Sequence, residues 1–223
     1  MRRKQALENE HVYHVMNKSI AGYKIFNDEI DYRRMLRLIE YFSISDALPK
    51  FSYFLKRCED MGKTFESYLD QCFPDPNRST DVLAYCLMPT HVHFILRQRK
   101  RSGIATFMSN VLNSYSRYFN IKHKRKGPLW VGKFKNVMIE SDDQLWHLSR
   151  YVHLNPVTSY LTDKAEDWNF SSYLEYITPS GVHRPLCSYG EYLQIKPRQY
   201  RAFVEDQADY QRDLAAIKNL ILE

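Results

Sequence analysis

Glycine is scarce in this chain, seven among 223 residues, and neither G-x-G-x-x-G nor G-x-x-x-x-G-K-[ST] occurs. A glycine-rich loop that cradles nucleotide phosphates is thereby excluded. The four cysteines, Cys58, Cys72, Cys86 and Cys187, contain no C-x-x-C spacing, which argues against a zinc ribbon or finger. No apolar run approaches the roughly 18 residues that a membrane-spanning helix takes. Met1-Arg2-Arg3-Lys4-Gln5 leads to Glu8 and Glu10 and not to an apolar stretch, so no secretory signal is read there and a cytoplasm with reduced thiols is expected. Acid is also missing from one region: residues 82–139 contain no Asp or Glu.

That same region holds eleven Lys and Arg, which leaves 21 basic against 26 acidic residues elsewhere. All the positive excess behind the net charge of +6 therefore sits in one contiguous segment. A field of one sign attracts a polyanion, with nucleic acid the first candidate, whereas ordinary solvated surfaces intersperse both signs. Apolar residues make up 44% and aromatic residues 14%, with 17 tyrosines, a globular composition large enough for one domain with additions or two small ones.

Alternation predicts a first strand over 10–18, with His11 and Tyr13 on one face and Val12 and His14 on the other; both histidines read as strand decoration. Ile30, Met35, Leu38, Ile39 and Phe42 recur at helical spacing and predict a helix over 29–42. Residues 43–80 read as an insertion of one or two short helices, broken at Pro74-Asp75-Pro76-Asn77. Strands follow over 82–88 and 91–97, antiparallel across Pro89-Thr90. Ser102-Gly103 opens a long helix to about residue 121. A fourth strand runs over 134–140. Ser141 with Gln144 forms a capping box for a helix that stops before Pro156. The first six elements read βαββαβ, an α+β ferredoxin-like sheet with helices on one face, and the seventh is an added helix. Residues 167–173 read as a surface-packed loop, and 199–222 as a terminal helix or helix pair.

Within Leu87-Met88-Pro89-Thr90-His91-Val92-His93-Phe94-Ile95-Leu96 the strand period points His91 and His93 the same way, about 7 Å apart, and sends Val92, Phe94 and Leu96 into a core. Two imidazoles on one face suit a divalent metal with open positions, or equally the wet side of a half-buried strand. Tyr151 and Asn155, four apart, share a helical face about 6 Å apart along the axis. Alone they read as a packed tyrosine and a helix-capping amide. Trp130, among Lys124, Arg125, Lys126 and Lys133, reads as a base-stacking ring or a core cap.

Taken in order, these stretches resemble the single-tyrosine HUH transposases, and within them the REP-associated tyrosine transposases. The residues that carry the resemblance are Tyr85 to Leu96, Tyr115-x-x-Tyr118-Phe119-Asn120 and Gly127-Pro128-Leu129-Trp130-x-Gly132-Lys133-Phe134. Arg150-Tyr151-Val152-His153-Leu154-Asn155-Pro156-Val157 and Trp168-x-x-Ser171-Ser172-Tyr173 complete it. The resemblance implies a catalytic domain over 8–160 with 43–80 inserted, followed by an extension over 161–223. It makes His91 and His93 the metal pair, Asn155 the third, polar ligand and Tyr151 the nucleophile. The implied cofactor is Mg²⁺ or Mn²⁺. The implied substrate is single-stranded DNA beside a hairpin, cut and rejoined through a 5′-phosphotyrosine. Arg97, Arg99, Lys100, Arg101, Lys124, Arg125, Lys126 and Lys133 are then expected on phosphates, with Trp130 on a base. Both monomers and homodimers fit the resemblance. A hydrolytic metal-dependent nuclease and a non-catalytic hairpin binder are the competing readings.

Overall fold

A computed structural model describes residues 6–44, 50–74, 76–178, 185–194 and 196–208. Its elements run β1 (Val12–Lys18), α1 (Glu29–Ser43), α2 (Phe51–Asp60), α3 (Phe65–Cys72), β2 (Thr80–Met88), β3 (His91–Gln98), α4 (Gly103–Lys122), β4 (Lys135–Ile139), α5 (Asp142–Thr158), α6 (Tyr173–Ile177) and α7 (Pro197–Glu205). The strands form one antiparallel sheet in the order β2-β3-β1-β4. The expected βαββαβ arrangement is present, and the insertion is α2 and α3. The C-terminal helix expected over 199–222 is α7 as far as Glu205, and its part from 209 onward lies outside the described residues.

Alternation along the strands sorts side chains onto two buried faces. Tyr13 and Val15 of β1 and Val92, Phe94 and Leu96 of β3 pack against α1 and α4. Ile95 packs on the other face, with Leu145, Val152 and Leu154 of α5 and Tyr176 and Tyr200 beyond it. Helices therefore cover both faces and not one. This explains why every residue of β2 is buried. A register shift between Val82 and Ala84 lets the strand serve both cores, with Leu83 and Ala84 on the α5 side and Val82 and Tyr85 on the α1 side.

The Pro89-Thr90 turn between β2 and β3 is clamped from outside. Pro89 O accepts from Ile25 N (2.8 Å) and Thr90 O from Ser19 N (2.8 Å). The segment expected as a surface loop instead straps the free edge of β2. Leu87 N donates to Phe170 O (2.9 Å), Ser172 N to Tyr85 O (3.0 Å), and the Trp168 indole to Leu87 O (3.2 Å). Backbone donors and acceptors that would otherwise form an exposed edge are thereby satisfied.

The tyrosine helix α5 starts as expected, with Ser141 Oγ accepting from Gln144 N (3.2 Å), but it does not stop before Pro156. It runs to Thr158, because a proline in the last turn removes one donor only and Ser159 N still reaches Asn155 O (3.0 Å). Helix α5 is tied to the C-terminal part through a fully buried imidazole. His153 Nδ1 meets Tyr200 Oη (2.7 Å), His153 Nε2 meets Ser172 Oγ (2.8 Å), and Tyr200 Oη donates to Ser149 Oγ (2.9 Å).

Two outcomes follow from that tie. Tyr200→Phe keeps the ring but strips two buried partners of their bond, and it should cost about 1–3 kcal/mol, read as a lower guanidinium midpoint. Burial also holds His153 down at about 3, from an ordinary 6.5. Between those values the unfolded chain binds the proton and the folded chain does not, so stability falls as pH drops below about 6.5. The denaturation midpoint of metal-free protein should be lower at pH 5 than at pH 7.5, and a flat profile would contradict the buried neutral imidazole.

Candidate active site

His91 opens β3 directly after the clamped turn, and His93 follows on the same face. The face is the one α5 covers, since Ile95 continues it into the α5 core. The two imidazole centroids are 5.0 Å apart with planes at 79°. Each Nδ1 is engaged: that of His91 meets Thr90 Oγ1 (3.0 Å) and that of His93 meets His14 Nε2 (3.0 Å). His93 is 2% exposed. Burial, reinforced by the charge of Lys18, depresses His91 to about 4; burial, then His91, His14 and Lys18, depress His93 to about 2. Both are neutral at physiological pH, the form in which imidazole ligates metal.

Tyr151 is the part of α5 that reaches this pair. Its ring stands edge-on to His93 (centroids 5.8 Å, planes at 87°) and to His14 (6.1 Å, 83°). It is 41% exposed, whereas the residues that follow it, Val152 to Val157, are buried. Burial raises the phenol above its usual value, and Asn155 partly offsets this. Asn155, one turn on, is 7% exposed and donates its Nδ2 to Tyr151 O (2.8 Å). Other tyrosines of the motif are elsewhere. Tyr115 is in the α1–α4 core with its hydroxyl on Ile25 O, and Tyr118 donates to buried Asp31 (2.8 Å).

His14, read from sequence as decoration, is part of the site, and so is Lys18, which was not singled out. Strand β1 lies between β3 and β4, so its pairing sets Lys18 opposite His91 and Lys135 opposite Met16. Directly opposed residues share a face, which puts His14, Lys18 and Lys135 on the histidine side. The only signal in the chain is that 12, 14, 16 and 18 share a strand face. Which face that is depends on the partner.

The expected phosphate contacts divide. Residues 129–131 are stitched to 18–20, with Val131 N on Lys18 O (2.9 Å) and Ile20 N on Leu129 O (2.9 Å), so the loop carrying Lys133 adjoins the histidine end. Lys124, Arg125 and Lys126 follow the C-terminus of α4. Near the other end of that helix, roughly 30 Å away, are Lys100 and Arg101. They line a groove with Arg34, Lys50 and Arg117 on the outer side of α1 and α4. Arg97 is six residues along β3 from His91, about 20 Å, and pairs with Glu10 and Asp81; Arg99 pairs with Asp81 (2.6 Å) and Glu191 (3.3 Å). Asp81 is wholly buried, so these two arginines have a structural partner. The expectation of Trp130 as a stacking ring is corrected: its indole is 8% exposed and donates to Leu112 O (3.2 Å), so it is a core side chain.

Residues 53–155, which hold both β-hairpin histidines, α4 and α5 through Asn155, match the sequence family described as "Transposase IS200 like". No curated protein matches the chain by sequence. Among solved structures the chain is similar to a REP-associated tyrosine transposase bound to a REP hairpin, with TM-score 0.52 and 13% identity over 88% of this chain and 99% of that one. It is also similar to a putative transposase from Deinococcus radiodurans R1, with TM-score 0.35 and 14% identity over 68% of this chain and 95% of that one. The first likeness is one of fold. The family match spans the histidine strand and the tyrosine helix, so over residues 53–155 this chain is similar to the IS200-like transposases.

Proposed function

We propose that the chain cuts and rejoins single-stranded DNA beside a hairpin through a 5′-phosphotyrosine on Tyr151, with Mg²⁺ or Mn²⁺ held by His91, His93 and Asn155. The observation that carries this reading is the placement of a half-exposed Tyr151 edge-on to His93, 5.8 Å between ring centroids. The donor set fits such a cation. Both imidazoles are neutral, both Nδ1 atoms are engaged, and the Asn155 Nδ2 is spent on the helix backbone, which leaves two Nε2 atoms and one amide oxygen. Three ligands leave positions for water and a phosphate oxygen, unlike a closed structural zinc site. When bound, the cation supplies Lewis acidity to the scissile phosphate and offsets the charge growing there.

The remaining chemistry belongs to the chain. Tyr151 Oη gives its proton to water and bonds to phosphorus, the P–O3′ bond breaks, and the departing oxygen takes a proton from water to become a 3′-OH. The 5′-phosphate stays on the tyrosine. A second 3′-OH then attacks the same phosphorus and returns the phenol, so one phosphodiester is exchanged for another without an external energy source. Lys18, Lys135 and Lys133 provide the local cationic surface, and Lys124, Arg125 and Lys126 extend it past α4. The similar solved transposase, bound to a REP hairpin, supports hairpin DNA as the partner.

Incubated with Mn²⁺ and a hairpin-bearing oligonucleotide labelled at its 3′ end, the protein should carry label on a denaturing gel, whereas a 5′ label should leave as a free fragment. EDTA or Tyr151→Phe should abolish the adduct. Cleavage without adduct would replace this reading with hydrolysis. The charge geometry gives a separate outcome. Lys124→Gln with Lys126→Gln should lower the slope of log affinity against log salt by about 0.7 for each phosphate that is no longer neutralised. Arg99→Gln should leave the slope unchanged and lower stability, because buried Asp81 loses its closest cation and keeps only the longer ion pair with Arg97.

A further inference from the structure

His14 has no role in the reading above, yet its side chain is hydrogen-bonded to that of His93. The two rings are nearly parallel (10°), with centroids 5.3 Å apart and His14 Nε2 3.0 Å from His93 Nδ1. The nitrogens are the closest approach, so the contact is edge to edge, as a hydrogen bond requires, and not face to face. The cross-strand neighbours of His14, Ile95 and Val137, offer no polar side chain. Tyr151 presents its ring to His14 at 6.1 Å.

A hydrogen bond between two neutral imidazoles admits two arrangements, since each ring carries one proton. If His14 donates, His93 keeps its proton on Nε2 and has no lone pair there. If His93 donates from Nδ1, its Nε2 carries a lone pair and can ligate. We propose that His14 is a positioning residue, accepting the Nδ1–H of His93 and so holding His93 in the tautomer whose Nε2 is free for the divalent cation. Thr90 Oγ1 stands in the matching place on His91 Nδ1 (3.0 Å). Outer partners of this kind set ring orientation and tautomer in metal sites, most often as a carboxylate or carbonyl; here the acceptor is a third imidazole. A direct ligand role for His14 is disfavoured: among the described residues no three His, Cys, Asp or Glu side chains are arranged to hold one ion. A neutral acceptor also adds no negative charge, which would pull a proton onto the pair and compete with the cation.

This inference rests on the metal-dependent reading for its consequence but not for its test. Long-range ¹H–¹⁵N spectra of the metal-free, ¹⁵N-labelled full chain report the tautomer, with His93 assigned by the signal missing from His93→Gln. The expected result is a protonated Nδ1 on His93 and an unprotonated Nε2. A second measurement is Mn²⁺ affinity by calorimetry. His14→Leu should weaken it about tenfold or more, and His14→Gln, whose Oε1 can take the same N–H, should restore most of it. Protonation of His93 at Nε2, or unchanged affinity in His14→Leu, overturns the proposal. So does a His14→Gln variant that binds no better than His93→Gln, which would make His14 a ligand. If the wild-type chain binds no Mn²⁺ at all, the metal reading fails, and the tautomer still decides the role of His14.

Discussion

The site depends on β1 being paired on both sides in one register. A slip of one residue would turn every β1 side chain to the opposite face. Tyr13 and Val15, wholly buried on the α1–α4 side, would then face α5, and His14 and Lys18 would leave the histidines. Burying an aromatic or branched side chain is worth about 1.5–3 kcal/mol, so the core itself holds His14 against His93. The apolar half of the strand thus positions the polar half, and the clamp on the Pro89-Thr90 turn fixes the start of β3 in the same frame.

Covering the second face of the sheet has an electrostatic consequence. Helix α5 packs against β2 and β3 and takes the imidazoles out of water, the largest cause of the depression of His91 and His93, and no carboxylate among the described residues offsets it. Neutral nitrogens result. The same helix keeps Tyr151 at its rim, because the stripe that enters the core is Leu145, Val152 and Leu154, and because His153 is tied inward to Ser172 and Tyr200. Neighbouring residues on one turn therefore differ in surroundings: His153 anchors, and Tyr151 is left half-exposed.

Charge shows how linear and spatial order diverge. Residues 82–139 lack acid, but two of their arginines meet acids from outside the segment: Glu10 and Asp81 at Arg97, and Asp81 with Glu191 at Arg99. Lys122 meets Asp28 and Asp31 in the same way. Helix α4 then separates what remains by its own length, leaving Lys100 and Arg101 near one end and Lys124 to Lys126 at the other. Lys18, outside the segment altogether, is the cation whose field reaches both histidines.

The order of strands and helices, the Val92-Phe94-Leu96 core face, the inserted helices and the pairing of Tyr151 with Asn155 were legible in the chain, because each is a local period of two or of 3.6 residues. So was the candidacy of His91 and His93, two positions apart on one strand. Nothing local marked His14 or Lys18, since a strand face acquires meaning only from the strand beside it. Nor could composition tell that Trp130 faces the core, that Arg97 and Arg99 are already paired, or that α5 runs through Pro156. Those outcomes rest on contacts between residues far apart in sequence, which the burial of two opposed sheet faces brings together.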